Sequence, residues 1–168
     1  LCGLLRLSRI GAAQISATTL DINAIIAEIL KGRQFHLRHH AVDIAIEGQL
    51  PACDGDATLI PQVFENIIDN AVKYRDPNRP AVIRIRGRRH EDRCLYQIED
   101  NGIGIAPEHK DKVFEIFHQL NPNAGGEGLG LTIVRRILDR QDGQITIDSQ
   151  PKKGTIVTVS LPAASEIK

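Results

Sequence analysis

Three groups of residues have the types and spacing to do chemistry together. Asp100 is followed by Asn101, Gly102, Ile103 and Gly104. Further on, Gly125-Gly126-Glu127-Gly128-Leu129-Gly130-Leu131 runs into an apolar, helix-like segment. A buried carboxylate beside glycines lets backbone and a base edge approach closely. A glycine-rich turn feeding a helix N-terminus offers free N–H groups and partial positive charge to phosphates. Upstream, Asn66, Asn70 and Lys73 fall at spacings of four and three, which places them on one stripe of a helix. Two amide oxygens and an ammonium on one stripe suit a hydrated magnesium ion carrying phosphates. Each group alone reads blandly: the glycines as surface turns, the stripe as a solvated helix face. In combination they point to a nucleotide site with adenine at one end and phosphates at the other.

The elements that must position these residues follow from periodicity. Leu59, Val63, Phe64, Ile67, Ile68, Ala71 and Val72 give residues 57–74 a long apolar face, with Asp56 as its cap and Pro61 delaying or kinking its start. Residues 81–87 and 93–99 alternate apolar and polar side chains across a polar turn, predicting a hairpin that delivers Asp100 at its end. Residues 129–140 read as an amphipathic helix ended by Gly143, and residues 144–149 and 155–161 as a second hairpin. Between the glycine clusters, residues 106–127 carry short helical pieces around Phe114 and Phe117 and a loose loop, which fits a lid. Asp21 is an N-cap for a helix through Leu30, with residues 16–20 extended before it. Residues 1–16 read as the last turns of a longer helix, residues 34–46 as a strand carrying His36, His39 and His40 as solvated side chains, residues 51–56 as a turn, and the tail beyond Pro162 as frayed.

Composition narrows the class. The 168 residues suffice for one domain with a real core. Lys plus Arg and Asp plus Glu both number 21, so no global charge draws the chain to nucleic acid or membrane. The basic run Arg84, Arg86, Arg88 and Arg89 reads as a solvated strand face. Cys2, Cys53 and Cys94 are few, distant and odd in number, which fits a reducing compartment without a disulfide framework. No apolar run reaches spanning length. The absence of methionine, with Leu1 first, is expected of a piece of a longer protein.

This arrangement, over residues from about 20 to 162, resembles the ATP-binding domain of sensor histidine kinases, in the GHKL (Bergerat-fold) superfamily. Asn66-Ile67-Ile68-Asp69-Asn70-Ala71-Val72-Lys73-Tyr74 resembles its N box, and Asp100-Asn101-Gly102-Ile103-Gly104-Ile105 its first glycine box. The stretch from Phe114 to Phe117 matches the F box, Gly126 to Leu131 the second glycine box, and Gly154-Thr155 the last. Among members, phytochrome-like kinases are the expected relatives. The resemblance implies that Asp100 accepts the adenine amino group, with Tyr74 beside the base and Thr155 supporting the carboxylate. It implies that Asn70, helped by Asn66, holds Mg2+, and that Lys73 reaches a phosphate. Gly102, Gly104, Ile105, Gly126, Gly128, Leu129, Gly130 and Leu131 complete the implied ATP site.

Position 66 chooses within the superfamily. Gyrase-type and chaperone-type ATPases carry a water-activating glutamate there. Asn66 cannot take a proton from water, and Glu65 points ~100° away on a helix, so the chain reads as built to present ATP to another nucleophile. The family's phosphoacceptor motif is missing, so the acceptor histidine is expected before Leu1 or on another chain. Glu127 stands where a small hydroxyl residue is usual, and Gln119 near the usual lid arginine.

The expectation is therefore an α+β two-layer sandwich, a mixed sheet of about five strands against three main helices. Residues 1–20 form the end of a dimerisation helix and linker, 21–163 the ATP-binding catalytic domain and 164–168 a tail. The expected activity is that of a cytoplasmic protein-histidine kinase using ATP and Mg2+, with Asn66 and Lys73 as catalytic residues. Expected partners are the parent's dimerisation helices and a response regulator, without nucleic acid or membrane contact. The rival readings are a non-catalytic nucleotide-binding module and a GHKL ATPase or anti-sigma-type serine kinase.

Overall fold

The structure, a computed structural model, describes residues 8, 10, 14–116, 118 and 128–165. Strand β1 (Ala17–Leu20) leads into helix α1 (Ile22–Gly32), where Asp21 accepts hydrogen bonds from the Asn23 and Ala24 amides as the N-cap. A short helix α2 (Gln34–His39) and strand β2 (Val42–Glu47) occupy the stretch read as one strand. Residues 34–40 contain no β-branched side chain, so nothing local favours the pleat. The apolar residues of this stretch sit on a helix with Phe35 exposed and Leu37 half-buried. The helix also converges the histidines that a strand would separate. The His36 and His40 rings lie 4.5 Å apart, and His40 Nδ1 meets Arg75 Nη2 at 2.8 Å.

Residues 51–56 are not a simple turn. Strand β3 (Cys53–Asp56) pairs antiparallel with β1, from Leu20 opposite Cys53 to Ala17 opposite Asp56. Its polar sequence hides the strand, because the pairing comes from a distant partner. The tail is tied to the same strand. Ala163 bridges Cys53, and Ser165 donates through its amide and its hydroxyl to Asp54. Of the N-terminal stretch, Ser8 and Ile10 are helical and Ile10 is buried.

Helix α3 (Ile60–Lys73) starts later than residue 57 because Pro61 takes its first turn, while Asp56 Oδ1 accepts from the Thr58 and Leu59 amides. Strands β4 (Ala81–His90) and β5 (Arg93–Asp100) form the predicted hairpin, extended to a tight turn at Glu91 and Asp92. Helix α4 (Gly130–Asp139) precedes the hairpin of β6 (Gln144–Gln150) and β7 (Gly154–Pro162). The main sheet runs β2-β4-β5-β7-β6, parallel only between β2 and β4. This is the mixed five-stranded α+β sandwich.

One face of the sheet is apolar and one polar. Ile83, Ile85, Cys94, Tyr96, Ile98, Val159 and Leu161 are buried with the inner stripe of α3 and with Ile133, Val134, Ile137 and Leu138 of α4. Phe64 meets Tyr96 edge to face at 5.5 Å. Each such side chain contributes ~1.5–3 kcal/mol by leaving water. Burial pushes the Cys53 thiol up to about 11, so it is a core group, not a nucleophile. The outer face carries Arg84 and Arg86 paired with Glu47 and Glu99. No helix among the described residues is long and apolar enough to cross a membrane.

Candidate nucleotide site

A cavity of about 370 Å³ lies between α3, α4 and the sheet. Asn66, Asn70, Lys73 and Tyr74 reach it from α3 and its C-cap, Asp100 from the end of β5, and Thr155 from the start of β7. Gly104 and Ile105 line it from the loop after Asp100, and Gly128, Leu129, Gly130 and Leu131 from the entry to α4. Gly102 does not line it, and Gly126, with Glu127, Gln119 and Phe117, lies outside the described residues. Apolar walls missed by motif reading come from Ile98, Val113, Ile133, Ile147 and Val157. Their signal was present only as ordinary core periodicity.

Two ends of the cavity carry distinct chemistry. Asn66 Nδ2 donates to Gln62 O at 2.6 Å, which fixes the amide's orientation and leaves its oxygen to face the start of α4. A Cβ added at Gly130 would stand 3.4 Å from Asn66 Oδ1 and 3.6 Å from Asn70 Oδ1. Helix α4 has Leu129 as its N-cap and no side-chain cap among the described residues, and the N–H groups of such a first turn suit an anion. Two amide oxygens beside those donors fit a magnesium-bound phosphate tail. Lys73 Nζ lies 5.0 Å above the Tyr74 ring.

At the other end, Asp100 Oδ1 accepts from the Gly102 amide at 2.8 Å. Burial pushes the Asp100 carboxyl up to about 6, and Glu99 adds to the rise. The Gly102 and Thr155 N–H groups and Arg79 oppose it. The folded chain thus holds this proton more tightly than the unfolded one. The group favours folding at acid pH and costs stability as pH rises through about 6. The Thr155 hydroxyl goes not to Asp100 but to Ser149 Oγ, at 2.8 Å, and Ser149 also accepts from the Ile105 amide.

The loop between Asp100 and Ile105 is fixed by backbone contact. Ile103 N donates to Tyr74 O at 3.0 Å, and Lys152 N donates to Ile103 O at 2.7 Å. A Cβ on Gly102 would come within 2.4 Å of Tyr74 O, so glycine is required there for packing.

Comparison with known proteins agrees with this fold. Residues 55–165 match the family model for histidine kinase-, DNA gyrase B- and HSP90-like ATPases, and the chain belongs to that family. It is 30% identical over 161 residues to the phytochrome-like protein Cph1 of Synechocystis, covering 95% of this chain and 21% of that protein. The chain spans about a fifth of the length of the curated relatives it matches first. Among solved structures it superposes on full-length ShkA in complex with AMPPNP, with a TM-score of 0.83 at 24% identity, covering 97% of this chain and 35% of that one. It superposes on the catalytic domain of the histidine kinase ThkA with a TM-score of 0.76 at 24% identity, covering 88% and 96%. The fold is that of histidine kinase catalytic domains.

Proposed function

We propose that this chain is the ATP-binding catalytic domain of a sensor histidine kinase, donating the γ-phosphoryl group of ATP to a histidine outside this chain. The observation that carries the reading is the convergence of the Asn66 and Asn70 oxygens on the start of α4, in a cavity that also holds Asp100. In this reading Asp100 accepts the adenine amino group beside Tyr74, and Lys73 reaches a phosphate. Asn70 with Asn66 would hold Mg2+, which when bound neutralises charge on the phosphate tail. The backbone of Gly128 to Leu131 supplies N–H donors. The acceptor nitrogen attacks the γ-phosphorus as the bond to the bridging oxygen breaks, and ADP leaves with that oxygen.

Transfer rather than hydrolysis is supported by the carboxylates around Asn66. Glu65 does not line the cavity and faces Arg33 at 3.8 Å, and both oxygens of Asp69 are held by Arg33. Neither is available to activate a water. The acceptor would sit on the parent's dimerisation helices and pass its phosphoryl group to a response regulator. An ATP donor assigns the work to the cytoplasm.

The test supplies a phosphoacceptor domain and labelled ATP in trans. Acid-labile phosphohistidine on that domain, with little steady-state phosphate release, is the expected result. Rapid phosphate release without transfer would overturn it in favour of an ATPase. In titrations of a non-hydrolysable ATP analogue, Asn70→Ala should lose about tenfold in affinity with magnesium and little with EDTA. Wild-type affinity should also fall as pH drops through about 6, because a protonated Asp100 no longer accepts freely from the adenine amino group.

A further inference from the structure

Arg79 sits in the turn between α3 and β4, outside every motif that marks the cavity and absent from its lining. Its guanidinium reaches three carbonyl oxygens on two separate loops. Nε donates to Asn101 O at 2.8 Å, and Nη2 donates to Gly102 O at 2.8 Å and to Lys152 O at 2.6 Å. Asp76, at 3.5 Å, holds the guanidinium from its own turn. Converging carbonyls repel one another, and a planar fork of donors is the side chain that can satisfy them together. Lys152, one of the residues so held, has a left-handed φ of 64°, a conformation that a non-glycine residue keeps only when its surroundings impose it.

We infer that Arg79 is a positioning residue for nucleotide binding: it clamps the loop carrying Asp100 and Gly102 onto the β6–β7 turn and so fixes the base-recognising carboxylate. The inference rests on the reading of Asp100 as the adenine acceptor. The clamp closes a circuit around that carboxylate. Asn101, whose own carbonyl Arg79 holds, accepts from Val82 N through Oδ1 and donates to Pro80 O through Nδ2. Gly102, which Arg79 holds by its carbonyl, donates its amide to Asp100 Oδ1. Fixing the carbonyl orients the peptide whose neighbour orients the carboxylate.

The cation also favours the ionised form of Asp100 against its burial and the charge of Glu99. Among the described residues, the other charged groups on the cavity wall are Lys73 and Asp69, the latter paired with Arg33, and the His118 imidazole also lines it. Arg79 thus does two separable things, one by its fork and one by its charge.

Arg79→Gln removes both, and Arg79→Lys keeps the charge without the fork. Each is tested in the full chain by titrating a non-hydrolysable ATP analogue at neutral pH. The Asp100 carboxyl is followed by carbon NMR in the free protein, and amide exchange is measured at Gly102 and Ile103. Arg79→Gln should bind about tenfold more weakly, with the Asp100 titration moved to higher pH and faster exchange of both amides. Arg79→Lys should keep the Asp100 titration near wild type but share the faster exchange and part of the affinity loss, so it carries the test if the glutamine variant does not fold. A residue that served stability alone would lower Tm and leave the titration midpoint where it was. Unchanged affinity and titration in both variants, with wild type binding normally, would overturn the clamp and leave the proposed function standing. Failure of wild type to bind would instead overturn the proposed function and, with it, the nucleotide role of Arg79. The titration and exchange readouts would then report only whether a loop clamp exists.

Discussion

Asp100→Asn should abolish most nucleotide affinity while leaving the fold intact. The carboxylate is an ionised acceptor at neutral pH, and a hydrogen bond to a charged group is worth ~1.5–3 kcal/mol. Its loss corresponds to affinity about 10- to 150-fold weaker. The upper end is expected, because an asparagine amide can turn its NH2 toward the adenine amino group and set donor against donor. The Gly102 amide can still donate to the remaining side-chain oxygen, so the loop keeps its anchor. The substitution also removes a carboxylate that burial pushes up to about 6, so neutral-pH stability should hold or rise. The acid limb of stability assigned to this group should disappear. Calorimetric titration of the analogue, with a melting curve at pH 5 and pH 8, checks both. Wild-type affinity in the variant would remove Asp100 from the adenine site.

Gly104→Ala should damage both fold and binding. Gly104 has φ +71°, and a Cβ there would stand 2.0 Å from Gln150 O. The neighbour is backbone at the end of β6, which cannot rotate away as a flexible side chain could. The left-handed conformation costs an alanine ~1–2 kcal/mol by itself, and displacing the carbonyl adds to it. A total of ~2–4 kcal/mol is expected, in the range of strained-glycine replacements. In a chain of this size that lowers Tm by roughly 5–15 °C. The displaced loop would also strain the bonds of Ile103 to Tyr74 O and Lys152 N, so analogue affinity falls too. Gly32→Ala is the matched control. Nothing lies within 4 Å of its Cβ and it closes helix α1, so the same change should be neutral or stabilising by up to ~1 kcal/mol. Equal effects from the two alanines would refute the steric argument.

The sequence by itself determined the parts of this protein that depend on local period and on chemically specific residues. The apolar stripe of residues 59–72, the alternation of the two hairpins and the Asp21 cap are local consequences of side-chain geometry, and they stand where the sequence put them. The composition of the cavity was legible too. Carboxylate, amides, lysine and glycines announce their chemistry whatever surrounds them, and the structure brings Asn66, Asn70, Lys73, Asp100 and Thr155 to one wall system.

Only the tertiary structure decided what depends on partners far along the chain. Residues 34–39 are helical and residues 53–56 a strand, because the second pairs with β1 and the tail, neither of which leaves a mark on the local pattern. Gly102 packs against Tyr74 O and does not line the cavity, whereas the resemblance had implied it as part of the ATP site. Arg79 belongs to no motif, and only the fold brings the carbonyls of Asn101, Gly102 and Lys152 to its guanidinium. Backbone carbonyls carry no residue-type signature, so a side chain that acts by gathering them is recognised only when the loops that present them meet in space.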